Sequence, residues 1–255
     1  MTPVRPNSTD PYLKQLFCKY LTEVRGLSAL TVEHYLTSLN VVTGYLRDNS
    51  YLGEQKSLFE VADLDTLLTL RNNLLSIEDF RQKDERGNRM YTAGLNNYLS
   101  FAQATDFGAL PHKGAELDLP RELGAASTTT ASQWGRSSIL RRQALESAHY
   151  QCSLDETHET FEVENTCHPY MESHHAISLR YQSEYSHSLD VGANLVCLCP
   201  LCHRKLHYAR LNLRKELLVC LYDMRAHRLD NCGLSVSKDK FISYGCAEAN
   251  TSAQT

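Results

Sequence analysis

Two histidines four residues apart, His203 and His207, lie in the run CPLCHRKLH, directly behind the pair Cys199 and Cys202. Positions i and i+4 share one face of a helix, so the two imidazoles can hold one metal ion. The C-x-x-C spacing of Cys199 and Cys202 is that of zinc ligands. Upstream, MESHHAISL supplies the adjacent pair His174 and His175, and Asn194 stands nine residues before His203. An imidazole with a pKa near ~6.5 can accept a proton from water at neutral pH, so this set suits metal-assisted hydrolysis.

The elements that carry these residues sit in a chain of 255 residues, 42% hydrophobic, enough for one large or two small domains. No apolar run approaches the roughly 18 residues of a transmembrane helix. The start, MTPVRPNSTDPY, lacks the apolar centre of a signal peptide, so a cytoplasmic protein with no membrane partner is expected. Nine cysteines, three of them within Cys197–Cys202, point in a reducing compartment to metal ligation and buried thiols rather than a disulfide framework. The net charge of −4 conceals a polarity. Residues 203–228 hold seven Lys and Arg against two acids, a local +5, whereas residues 151–164 hold five acids and no Lys or Arg. The basic run beside the histidines suits phosphate binding, or else forms a solvated helix face.

Residues 11–108 carry helical periodicity. Leu13, Leu16, Phe17, Tyr20, Leu21 and Val24 form one apolar stripe, Gly26 stops it, and Ser28 is placed to cap the next helix. Val32, Tyr35, Leu36, Leu39, Val42 and Leu46 repeat the pattern. A Leu-rich helix follows near Leu64–Leu75, and Ser76 is placed to cap a short turn through Phe80. RQKDERGN reads as a polar break, and Tyr91, Leu95, Tyr98, Leu99 and Ala102 as a last stripe. Residues 109–138 turn to Pro, Gly, Ala, Ser and Thr, the composition of a flexible linker. The tail, residues 246–255, is small and polar and is expected to be disordered.

The second domain, residues 139–245, reads as a helix over Ile139–Tyr150, a strand within Pro169–Ile177, a loop and a short apolar strand over Asn194–Leu198. A helix from Pro200 past His207 follows, with a further helical stripe through Leu213, Leu217, Leu218, Leu221 and Met224. Leu234–Tyr244 reads as a short strand or extended segment. With these motifs in this order, the stretch from Ser138 to Tyr244 resembles an HNH nuclease domain, the ββα-metal fold of colicin DNases, many restriction enzymes and homing endonucleases. The fold class expected is therefore α+β, an all-helical N-terminal domain followed by a zinc-stabilised ββα-metal domain.

The resemblance implies roles. His175 would be the general base, Asn194 would hold that base in orientation, and His174, His203 and His207 would bind the catalytic divalent metal (Mg²⁺, Mn²⁺, Ni²⁺ or Zn²⁺). An all-imidazole set favours the softer of these ions over Mg²⁺. Glu172, two residues before His174 and on the same side of a strand, is read as a surface acid, with a place behind the ligands as the alternative. A structural Zn²⁺ needs two ligands besides Cys199 and Cys202. Related HNH sequences point to Cys152 and His158, with Cys167 and His168 as rivals. Cys197 is read as a packed apolar side chain.

The implied activity is DNA endonuclease, in restriction or antiviral defence. DNA is the expected partner, and a homodimer the simplest route to cutting both strands. The segment YLTEVRGLSALTVEHYLTSLNVVTGYL resembles the core-binding domain of tyrosine recombinases, without that family's Arg/His/Arg/Tyr set; a helical bundle for dimerisation or docking is the equal alternative. Two other functions stay open: a zinc-stabilised DNA-binding protein with a silent nuclease, and a recombination or mobile-element protein.

Overall fold

The computed structural model describes residues 11–105, 107, 117–123, 136–164 and 166–247. The chain divides into two compact units, Met1–Leu110 with Ser137–Ile139, and Pro111–Arg136 with Leu140–Thr255. Among the described residues the secondary structure is mostly helical with one two-stranded sheet, an α+β arrangement. No described helix is long and apolar enough to cross a membrane. Residues 109–116 and 124–135 of the expected linker and 248–255 of the expected tail lie outside the described residues.

In the first unit, α1 (Tyr12–Lys19) runs into a π-helical turn, Tyr20–Val24, and Gly26, at φ +62, ends it. Ser28 caps α2 (Ala29–Asp48) by accepting a hydrogen bond from the Thr31 amide. α3 (Leu64–Ser76), α4 (Glu78–Arg86) and α5 (Met90–Gln103) complete the bundle. Its centre is aromatic: Phe17, Tyr20, Phe59, Tyr98 and Phe101 are buried, with Phe17 edge-on to Tyr98 at 5.2 Å between ring centres. Gly94 lets α5 approach α2, since a Cβ there would lie 2.8 Å from Ser38 Cβ.

The polar stretch RQKDERGN is not a break until Gly87. Its first six residues are helical in α4, where Glu78 and Asp79 start the helix and Lys83 and Arg86 end it, matching the helix dipole. Glu78 also pairs with Arg81 and Gln82. Ser76 closes α3 instead of capping α4, its hydroxyl donating to the Asn73 carbonyl. Asp84, buried, accepts from the amides of Tyr91 and Thr92 and so caps α5.

The second unit opens with residues 117–123, which composition assigns to the linker but which pack within this unit. Asp118 accepts from Arg228 Nε and Nη2 at 2.7 and 2.8 Å, and Glu122 forms an isolated antiparallel bridge with His187. α6 spans Ser138–Ser147, its first two residues belonging to the first unit. β1 (Glu172–His175) and β2 (Leu195–Leu198) pair antiparallel, with Glu172 opposite Leu198 and His175 opposite Leu195. α7 (Pro200–Tyr208) follows at once, then α8 (Leu211–Asn231) and α9 (Lys238–Ala247).

α9 replaces the extended segment expected at Leu234–Tyr244. Ser237 caps it by accepting from the Lys240 amide, and Phe241 packs on Tyr222 of α8, so its β-favouring residues serve a helix interface. The unit's core gathers Ile177, Leu189, Val191, Leu195, Leu198, Leu206, Leu218 and Leu221, all buried.

Candidate functional site

Strand alternation sets His174 and His175 on opposite sides of β1. Successive β residues face opposite sides, so Glu172 and His174 turn one way from β1, and Ser173 and His175 the other. On the first side α7 presents His203 and His207, one turn apart. The ligand nitrogens of His174, His203 and His207 lie within 4.8 Å of one another, and the Nε2 atoms of His203 and His207 are 3.3 Å apart. An ion held tetrahedrally at about 2.0–2.1 Å sets such nitrogens about 3.3 Å apart, so the donors fit a small divalent cation. Burial, then the neighbouring His203, His207 and His175, hold His174 well below the usual imidazole range. That ring stays neutral at pH 7, the form that ligates.

Glu172 is no free surface acid. His203 Nδ1–H donates to its carboxylate, which leaves Nε2 of His203 as the ligand atom, and the Tyr170 hydroxyl donates to Glu172 at 3.2 Å. The sequence signal was its place two residues before His174 on a strand.

On the other side, His175 Nε2–H donates to Asp190 Oδ1 at 3.1 Å. Asp190 is 2% exposed and was not foreseen; an acid within the apolar run LDVGANLV was the available clue. Ser173, on the same side, accepts from Arg141 Nε of α6 at 2.9 Å. Asn194 is fully buried, and no hydrogen bond joins it to His175. Its Nδ2 donates to the carbonyls of Ile177 and Leu189, and its Oδ1 accepts from the Ile177 amide. It ties the chain after His175 to the loop that carries Asp190, so its contacts hold the backbone between the two strands rather than the His175 ring.

A second cluster lies at the start of α7. Cys152, His158, Cys199 and Cys202 bring their donor atoms within 4.8 Å of one another. His158 Nδ1 lies 3.6 Å from Cys199 Sγ and 3.4 Å from Cys202 Sγ. A tetrahedral zinc with bonds of about 2.3 Å to sulfur and 2.0–2.1 Å to nitrogen needs S···N edges of about 3.5 Å, so the set fits zinc. His158 turns its other nitrogen to Asp155, 3.4 Å away, in the usual manner of a metal-bound imidazole.

The thiols themselves ask for a cation. Burial opposes a thiolate at Cys152, but the Cys199 amide, the His158 ring and the Leu154 and Asp155 amides bring it down to about 7. Cys202, buried and beside Cys152, is pushed up to about 12. Neighbouring thiolates repel, and a bound cation removes that repulsion. Cys199 also caps α7, accepting from the Cys202 amide, and Pro200 occupies the first turn. The rival donors stand apart: Cys167 is exposed, and His168 stacks on Tyr150 at 4.1 Å. Cys197, buried and pushed up to about 12 by that burial, packs as expected.

Over 58 residues the chain is 45% identical to the type IV methyl-directed restriction enzyme EcoKMcrA of Escherichia coli, a match that covers 23% of this chain and 18% of that enzyme. The similarity is to a restriction enzyme. It spans less than a fifth of that enzyme's length. No family model and no solved structure matches the chain.

The basic run at 203–228 is only partly a surface. Arg204, Arg210 and Lys215 are exposed, whereas Arg214 is buried and Arg228 is paired with Asp118. Burial, and Arg228 beside it, lower Arg225 to about 10.

Proposed function

We propose that this chain is a metal-dependent endonuclease that hydrolyses phosphodiester bonds in DNA, in a restriction or antiviral role, with an HNH-type site. The observation that carries this reading is the pairing of a three-imidazole cluster with His175, the next residue along β1, anchored on a buried carboxylate. The partial match to a restriction enzyme supports DNA as substrate and restriction as the setting. A divalent cation at His174, His203 and His207 would polarise the scissile phosphate and offset charge on the leaving oxygen.

The chain's own residues supply the rest. With Nε2 committed to Asp190, His175 has Nδ1 to take the proton from the attacking water. Arg141, exposed and fixed on Ser173 beside that base, offers its terminal nitrogens to phosphate oxygens. Cys152, His158, Cys199 and Cys202 would hold a structural zinc that seats α7. One site attacks one strand at a time, so cutting both strands takes two copies, and the first unit is the module for dimerisation or DNA targeting.

The test is incubation of the full chain with supercoiled plasmid, methylated and unmethylated, across Mg²⁺, Mn²⁺, Ni²⁺ and Zn²⁺, with His175→Ala alongside. Nicked or linear product from the wild type alone is expected. Intact plasmid under every condition overturns the reading.

A further inference from the structure

The carboxylate behind His175 is held more firmly than a chance ion pair would be. Asp190 Oδ1 accepts from His175 Nε2, while Oδ2 accepts from Arg121 Nη1 at 2.8 Å. The same Arg121 nitrogen donates to the Asp190 main-chain carbonyl, also at 2.8 Å, so the guanidinium grips both side chain and backbone. The Asp190 amide in turn donates to Ser188 Oγ. A buried carboxylate is stable only while its oxygens keep their partners, so neither Asp190 nor the ring it holds can turn without loss.

Arg121 is itself anchored. Its carbonyl accepts from the Ser188 amide at 2.7 Å, Glu122 bridges to His187, and Asp118 takes the two-point contact from Arg228. Residues 118–122 thus form a strap from α8 to the loop that carries Asp190.

We propose that Asp190, clamped by Arg121, is the positioning residue that fixes the His175 imidazole as its Nε2–H tautomer and leaves Nδ1 facing water. This rests on the reading of His175 as the base of a nuclease. A purely structural ion pair needs Arg121 and Asp190 but not the ring; here one oxygen is given to the ring. A carboxylate that accepts from the far nitrogen holds the tautomer and stabilises the imidazolium formed as water is deprotonated.

The experiment uses the full chain, zinc-loaded and labelled with ¹⁵N-histidine, with His175→Ala identifying the His175 resonances. Wild type should show the Nε2–H pattern alone. Asp190→Asn, whose amide can donate to Nε2, should shift the ring toward the Nδ1–H form and lower kcat for plasmid nicking about 10²–10⁴-fold, with KM, zinc content and melting little changed. Arg121→Lys, which keeps the charge, should recover most of what Arg121→Ala loses. A folded Asp190→Asn protein with the wild-type tautomer overturns the proposal. If that variant unfolds, Asp190→Ser, which takes the carboxylate from the ring, decides by the same two readouts: an unaltered tautomer and kcat again overturn it. A wild type that cuts no DNA sinks the nuclease reading, while the tautomer measurement still decides the positioning.

Discussion

Asn194 and Ile177 exchange two hydrogen bonds, the Ile177 amide to Oδ1 at 2.7 Å and Asn194 Nδ2 to the Ile177 carbonyl at 2.8 Å. This reciprocal pair, with a third bond to the Leu189 carbonyl, closes the loop between β1 and β2. Asn194→Ala leaves three backbone groups without that partner, at about 1–3 kcal/mol for each one left buried and unsatisfied. Thermal melting of the variant should show a marked loss. Asn194→Asp should not rescue it, because a carboxylate cannot donate to the two carbonyls.

His175→Ala removes the proposed base but none of the three clustered imidazoles. Nicking should fall about 10²–10⁴-fold. Calorimetric titration with Mn²⁺ or Ni²⁺ should give the wild-type affinity, and undiminished nicking at matched purity refutes the role.

Glu172→Gln weakens the acceptor behind His203 without touching any of the three clustered imidazoles. Metal affinity at the three-imidazole site should drop about 10–100-fold, as for other partners of metal-bound imidazoles. Activity should return at raised metal concentration. A variant with unchanged affinity would show that the contact is incidental.

Cys199→Ser should act on folding before chemistry, because Cys199 is both a donor and the cap of α7. Elemental analysis of the wild type after gel filtration should find about one tightly held zinc per chain, and the variant should lose it and melt earlier. A zinc-free variant with normal melting excludes a structural site.

Gly94→Ala tests the first unit. Ala normally stabilises a helix interior over Gly by about 0.8–1.0 kcal/mol. Here the added Cβ would meet Ser38 Cβ at 2.8 Å, so the sign should reverse to a loss of about 1–3 kcal/mol. Chemical denaturation reads the difference.

The donor sets could be read from the sequence because they rest on short-range rules. His203 and His207 are one helical turn apart, Cys199 and Cys202 frame a helix start, and β alternation separates His174 from His175. Cys152 and His158 came from resemblance alone, since nothing local ties them to Cys199. Arg121 and Asp190 stayed hidden because they are far apart in the chain and meet only through tertiary packing. The linker composition around Arg121 concealed it further. α4 and α9 were misread for opposite reasons. Charge complementarity stabilises a helix in α4 that an apolar stripe does not announce, and in α9 packing on α8 overrides β propensity.

Cys202 and His203 are neighbours in α7, so thiols and imidazoles hang from one nine-residue helix. An oxidant that joins or caps the thiols removes ligands from one cluster and loosens the helix that serves the other. On the proposed function, cutting would thereby be tied to the reducing state of the surroundings, although no cysteine lies among the groups assigned to the chemistry. Chelators should then silence the protein in two stages: a fast one, reversed by returning the divalent ion, and a slow one, after which the helix start has come apart and returning the ion to the imidazoles no longer restores cutting.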